Sequence, residues 1–251
     1  MLQSIYTALT GMRAQQNRID VIGNNMANIS TTAFKTGRVG FADTLYALMK
    51  PQDEATGTLL NGTGALVSAT HRVQDQGTSI VTGNTLDFMV SGAGYFSLAG
   101  PDGQRYYTRD GSFKSAVYNN TNYLVSAEGY FVLGTDNQPI QIPGDSTQVA
   151  ADGKGNLFLG GTAFASLQIA VFPNPEGLAD VGGNRYQATN GSGAAAAAVG
   201  AAVQQGWLEG SNVDMATEIA KLMESQRAYS VLGTAIRTTD EMESTANRLG
   251  E

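Results

Sequence analysis

The chain has 251 residues, a formal net charge of −7 and no cysteine. Lack of cysteine excludes disulfide scaffolds, thiolate zinc sites and cysteine nucleophiles. The acidic balance argues against nucleic acid, whose binding needs a basic face to release counterions from phosphates. No apolar run approaches the roughly 20 residues of a transmembrane helix, so no membrane insertion is expected.

Charged residues make up 15% of the chain and glycines number 31. The usual charged share is roughly 25%. The shortfall implies many turns and a surface partly covered by something other than water. The start MLQSIYTALTGMRAQQNRID has no basic opening, and its apolar residues are spaced rather than contiguous. It is therefore not a cleaved signal. The chain is expected either to stay in the cytosol or to leave by a route that needs no cleavage.

In the first segment, Leu2, Ile5, Leu9, Met12, Gln16, Ile19, Gly23 and Met26 follow an unbroken 3–4 alternation. That is the seam of a coiled coil and predicts a helix. The pattern stops at NNMANISTTAFK, residues 24–35. Asn24, Asn25, Asn28, Ser30 and Thr31 form a dense uncharged polar cluster there. Asn28 suits the left-handed conformation that ends a helix, and Ser30 and Thr31 suit bonds to nearby backbone. Phe34 restores an apolar anchor. These residues are the expected joint between a helical core, residues 1–35 and 206–251, and the rest of the chain.

Residues 36–65 read as a connector, with a short helix over VGFADTLYALMK followed by the loop PQDEATGTLLNGTGA. Residues 66–205 read as β. Runs of about five residues, such as TSIVTGNTLDFMVSG, NYLVSAEGYFVLG and LQIAVFPNPEGL, are separated by Asp-Gly, Gly-Asn and Pro-Asn signals. Antiparallel hairpins in a sandwich or small irregular barrel follow. NGSGAAAAAVGAAV, within residues 190–205, reads as an extended or weakly ordered linker.

The last segment repeats the 3–4 spacing with Met215, Ile219, Leu222, Gln226, Tyr229, Gly233 and Ile236. Both series share the order apolar, Gln, large, Gly, apolar. A helix-interior glycine costs roughly 1 kcal/mol against alanine, so Gly23 and Gly233 are expected to admit a close neighbour. Ser211-Asn212-Val213-Asp214 supplies an N-cap, and Asp214 and Glu218 favour the positive helix end. The fold class is α+β: a discontinuous coiled-coil core from the two terminal helices, with an inserted antiparallel β domain.

Catalytic patterns are thin. His71 is the single histidine, and no serine motif accompanies it. Most acids of the β zone precede glycine, where they make turns. Asp152, Lys154 and Asn156 echo a calcium loop but lack its distant glutamate. Gly92-Ala93-Gly94 lacks the rest of a phosphate loop and reads as close backbone packing. No catalytic residue, cofactor or metal is expected.

AQQNRIDVIGNNMANISTTAFK, TGNTLDFMVSGAGYF, YYTRDGSF and GWLEGSNVDMATEIAKLMESQRAYSVLGTAIRTTDEM together resemble the bacterial flagellar rod and hook axial proteins. The resemblance spans nearly the whole chain. It implies a structural subunit of the basal-body rod that self-assembles into a helical torque-transmitting tube around an export channel. It also implies export through the flagellar type III apparatus, contact with other rod and hook proteins, and a site in the rod across the cell wall. The length favours a rod subunit over a hook protein. Residues 14–49 and 206–242 resemble the distal rod class most, with the proximal rod or hook type as the alternative. The family usually has glycine where Ala33 stands, which weakens any argument that this position needs a positive φ.

On this reading, the uncharged polar side of the first helix is covered by neighbouring subunits. Glu218, Lys221, Glu224, Arg227, Arg237, Asp240, Glu241 and Glu243 would give the last helix a wet face toward the channel. A periplasmic cell-wall hydrolase and a β-rich adhesin are the competing classes. The missing catalytic constellation weighs against the first and the terminal seams against the second.

Overall fold

Apolar spacing with a period near 3.6 gives a helix at each end of the chain. In the computed structural model, which describes residues 2–44, 46–48, 60–144, 146–198 and 201–249, α1 spans Leu2–Ala27 and α2 spans Met215–Leu249. Among the described residues every strand pairing between them is antiparallel, so the class is mixed α+β. The chain divides into two units. One comprises Met1–Ala27, Gly37–Val73 and Asp214–Glu251, and the other comprises Asn28–Thr36 and Gln74–Val213.

In the helical unit α1 and α2 run antiparallel. Arg18 meets Glu224 at 3.0 Å and Asn25 meets Glu218 at 3.0 Å. A Cβ on Gly11 would lie 3.3 Å from Leu232. As one residue number rises the other falls by nearly the same amount. Asp214 caps α2, accepting from the amides of Ala216 and Thr217 at 3.3 and 3.2 Å. This satisfies two of the donors that a helix start leaves unpaired.

The same unit holds a long ribbon. Gly37–Asp43 pairs antiparallel with Ala65–Arg72, with a register shift between Gly40 and Phe41. Tyr46–Leu48 pairs with Leu60–Gly62. The short helix expected over VGFADTLYALMK is therefore corrected to strand; its Leu45, Met49 and Lys50 lie outside the described residues. Exposure along Gly37–Asp43 nearly alternates, a period-2 pattern that β-branched and aromatic residues favour. The segment set apart above as a connector thus belongs to the unit that holds the helices.

In the β-rich unit the largest sheet runs, in pairing order, through Ala179–Asp180, Arg185–Gln187, Arg105–Thr108, Tyr95–Ala99, Phe131–Val132, Thr121–Val125 and Lys114–Tyr118. Ile169–Val171 pairs with Tyr95–Ala99 and with Ala196–Ala197. A three-stranded sheet and the pairs Ala202–Gln205 with Phe88–Ser91 and Trp207–Glu209 with Ser79–Val81 complete it. The core gathers Phe88, Phe96, Leu98, Phe113, Leu124 and Val132. Phe96 and Phe113 meet edge to face, 5.1 Å between centroids.

Turn chemistry explains the hairpins. Asn119 and Asn120 take φ of 48° and 63° between Lys114–Tyr118 and Thr121–Val125, the mirror-image turn that matches strand twist. Asp102 accepts from the Gln104 amide at 3.2 Å in the Pro101-Asp102-Gly103 turn. Gly111 has a different reason: a Cβ there would meet the Phe88 carbonyl oxygen at 1.7 Å.

Of the two readings of the Ala/Gly-rich stretch, extended or weakly ordered, its described parts take the extended one. Ala196–Ala197 and Ala202–Gln205 are paired strands, and Val203 is buried in the core. Residues 199 and 200 lie outside the described residues. Small side chains let these edges lie close to their partners, which low complexity alone does not reveal.

Candidate functional site

Two places carry the residues singled out in the sequence: the faces of the helix pair, and the segment that follows α1.

On α1 the buried residues are Ala14, Ile22 and Asn25, with Gly11 against Leu232. On α2 they are Glu218 and Ser225, with Leu232 half-buried. These are stripes of 3–4 spacing, but they are not the 3–4 series read from the sequence. Of that series, Leu9, Gln16, Gly23, Met215, Ile219, Gln226 and Tyr229 are exposed, and Ile5, Met12, Ile19, Met26, Leu222, Gly233 and Ile236 are half-buried. Leu2's side chain lies outside the described residues. Among the described residues a Cβ on Gly23 or Gly233 would meet nothing within 4 Å, while one on Gly11 would meet Leu232.

The helix pair is joined by polar groups that sequence patterning passed over. Asn25 Nδ2 donates to Glu218 Oε2 and to the Gly37 carbonyl, both at 3.0 Å, and its Oδ1 accepts from the Gly37 amide at 2.8 Å. Lys221 donates to the other Glu218 oxygen at 2.6 Å. Glu218 is 2% exposed and so is not part of a wet face, a correction to its placement above. A buried carboxylate is tolerated because its oxygens are paired.

The segment after α1 has its own geometry. Asn24 and Ser30 are exposed and Asn28 and Thr31 half-buried. Asn28 does not adopt the left-handed conformation expected of it. It makes a turn instead, its carbonyl accepting from the Thr31 amide and its side-chain oxygen from the Thr31 hydroxyl, each at 3.2 Å. The left-handed residue is Ala33, with φ of 55°. Packing and hydrogen bonding on both sides override its intrinsic preference: Ala33 is fully buried and its amide donates to the Glu209 carbonyl at 2.8 Å. Phe34 is buried, as an anchor should be.

Beyond Phe34 lies a cluster of buried charges. Lys35 Nζ reaches Glu209 Oε1 at 2.5 Å and the Asp75 carbonyl at 2.6 Å. Arg109 donates to Glu209 Oε2 at 3.3 Å, and the Gly77 amide to Oε1 at 2.9 Å. Both Lys35 and Glu209 side chains are shut off from water. Burial pushes the Lys35 ammonium below its ordinary value, with the Glu209 carboxylate opposing. Arg109 also lies over the Tyr95 ring, 5.2 Å from its centroid, and burial raises the Tyr95 hydroxyl. Asn212 accepts from both the amide and the hydroxyl of Thr36 at 2.7 Å and donates to the Asp75 carbonyl at 3.1 Å. Asn212 is therefore a tie within the β-rich unit, while Asp214 performs the helix cap. Lys35 and Glu209 carried no sequence signal as a pair, since 174 positions separate them.

The remaining polar motifs are structural. Asp152 holds its own turn, accepting from the amides of Lys154 and Asn156. Gly94 is the close-packed glycine of its pair, since a Cβ there would lie 2.5 Å from Ile169. His71 is exposed on its ribbon.

In chain order, a long helix at each end brackets a run of antiparallel strands, and part of the 3–4 series on each helix is exposed. Three family models match: flagella basal body rod protein over residues 5–35, flagellar hook protein FlgE/F/G D1 domain over 89–159, and flagellar basal body rod FlgEFG protein C-terminal over 204–249. The chain is 34% identical to the flagellar basal-body rod protein FlgG of Borreliella burgdorferi, with 99% of each chain covered. It is 36% identical to the protein of the same name in Agrobacterium fabrum, covering 98% of this chain and 99% of the relative. The Bacillus subtilis protein of that name is 34% identical, with 96% and 97% covered. The chain belongs to the flagellar basal-body rod protein family.

Proposed function

We propose that the chain is a structural subunit of the flagellar basal-body rod, of the distal class, and not an enzyme. The observation that carries this is the division of labour on the helices. One face of α1 and α2 is used within the chain, and a second 3–4 series is left partly open, with Leu9, Gln16, Met215, Ile219 and Tyr229 exposed. Apolar residues stand out on α2 at Met215, Ile219, Met223, Val231 and Met242. An isolated helix face of this kind gains stability only by packing. On this reading the open faces meet other copies in a coiled-coil core, which winds into a helical tube around the export channel and transmits torque. Leu2, Ile5, Leu9, Met12, Gln16, Ile19, Gly23 and Met26 supply one seam, and the series from Met215 to Ile236 the other.

The β-rich unit is then an insertion between the two core helices. The partners are copies of the chain, the neighbouring rod and hook proteins, and the type III export apparatus that passes the subunit without a cleaved signal. Support comes from relatives named as basal-body rod proteins along the full length. Electron microscopy of basal bodies with this subunit labelled tests it. Label confined to the distal rod is the expected result. Label at the proximal rod or in the hook would reassign the subunit, and clearing of a cell-wall substrate by the pure protein would overturn the structural reading.

A further inference from the structure

Segment Asn28–Thr36 contains no strand, yet it sits firmly in the β-rich unit. Its backbone makes two direct backbone links to the final stretch of that unit, Ala33 N to Glu209 O and Asn212 N to Phe34 O. Further links run through side chains: Lys35, the Thr36 pair to Asn212, and Asn184, whose amide donates to the Thr32 carbonyl at 2.6 Å. Glu209 gathers three stretches of chain at once, through Lys35, Gly77 and Arg109. Those at Lys35, Gly77 and Glu209 lie within a few residues of the points where the chain passes between its two units, at 27/28, 36/37, 73/74 and 213/214.

Buried ion clusters add little net stability, because desolvation offsets attraction, but they punish any arrangement that leaves one charge alone. Ala33 and Phe34 are buried, but a segment with no ladder of its own, held by a few bonds and such a cluster, opens at lower cost than sheets held by ladders and apolar core. We propose that the Lys35–Glu209–Arg109 cluster is a latch. It closes Asn28–Thr36 onto the β-rich unit in a local step separate from folding of the sheets, and only the latched chain assembles. The assembly half rests on the rod-subunit reading; the latch half does not.

The full chain tests this by amide exchange. The latch amides are those of Ala33 and Thr36, and the core amides are those of Leu124 and Ile140, which donate to the Ile140 and Val132 carbonyls. In the unmodified chain the latch amides should exchange at least about tenfold faster than the core amides. Lys35→Met should speed the latch amides by a further factor of about ten with core exchange unchanged, and should abolish filaments. Trp207, the only tryptophan and two positions from Glu209, should change its emission in the same variant. Latch and core amides that exchange together, in either chain, would overturn the latch. If Lys35→Met does not fold, Asn212→Ala, which removes the side-chain ties to Thr36 and Asp75, is read by the same two sets of amides. Filaments from a latch-open variant at the unmodified yield would overturn the gating. An intact latch in a chain that never forms filaments would instead count against the rod-subunit reading.

Discussion

Asn25 on α1 donates a hydrogen bond to Glu218 on α2 at 3.0 Å, with both residues at 2% exposure. This one contact joins the two ends of the chain, and Asn25 also holds both backbone groups of Gly37. Removing the amide leaves the buried Glu218 carboxylate to Lys221 among the described side chains. Asn25→Ala should therefore destabilise the chain by about 2–3 kcal/mol, more than an exposed amide of the same helix. Urea unfolding of Asn25→Ala beside Asn17→Ala, whose side chain is exposed, measures the difference.

Ala33 occupies a left-handed position that glycine tolerates best. Ala33→Gly relieves that cost of about 1 kcal/mol but loses a buried methyl and gains unfolded-chain entropy of similar size. The net change should be within about 0.5 kcal/mol of zero. Ala33→Val should cost more than about 2 kcal/mol, because a β-branched residue is a true outlier there. Thermal unfolding of the two variants side by side checks the asymmetry.

Gly23 and Gly233 have open space where a Cβ would go. Alanine at each should raise the stability of the unassembled chain by about 0.5–1 kcal/mol. If these positions admit a neighbouring copy in the rod, the same substitutions should lower filament yield. Calorimetry and sedimentation on one preparation separate the two effects. Stabilised variants that assemble normally would remove the glycines from the proposed seam.

The Asp214 cap has a defined pH signature. Bonds from the Thr217 hydroxyl first, then from the Thr217 amide, hold its carboxyl below the ordinary carboxylate value. A depressed carboxylate contributes stability above its unfolded value, and that contribution fades as pH falls through the folded one. Helix content should thus decline as acid takes the solution below about pH 4. In Asp214→Ala that component should be absent, with lower helix content already at neutral pH. Circular dichroism across an acid titration of both chains gives the comparison.

Local chemistry made several parts legible. The 3–4 spacing marked both helices because amphipathic periodicity is a property of neighbours in sequence. Pro101-Asp102-Gly103 marked a hairpin because the aspartate builds its own turn. Other elements were misread for equally local reasons. VGFADTLYALMK looked helical from its apolar content, but its partner strand Ala65–Arg72 lies some 30 positions away in register with it, as Arg38 with His71 shows. Asn28 had the residue type for a left-handed stop, while Ala33, with none of it, has the conformation.

The sequence alone settled that the two ends are helical, that the middle is antiparallel β, and which family the pattern resembles. Only the tertiary structure decided which face each helix turns to the other. A 3–4 series names an apolar stripe but not its partner, and here the helices meet through Arg18 with Glu224, Asn25 with Glu218 and Gly11 beside Leu232. It also decided that Lys35 and Glu209 meet in a space without water. Charges hold each other there because burial makes separation costly, and burial belongs to the folded chain as a whole, not to any stretch of its sequence.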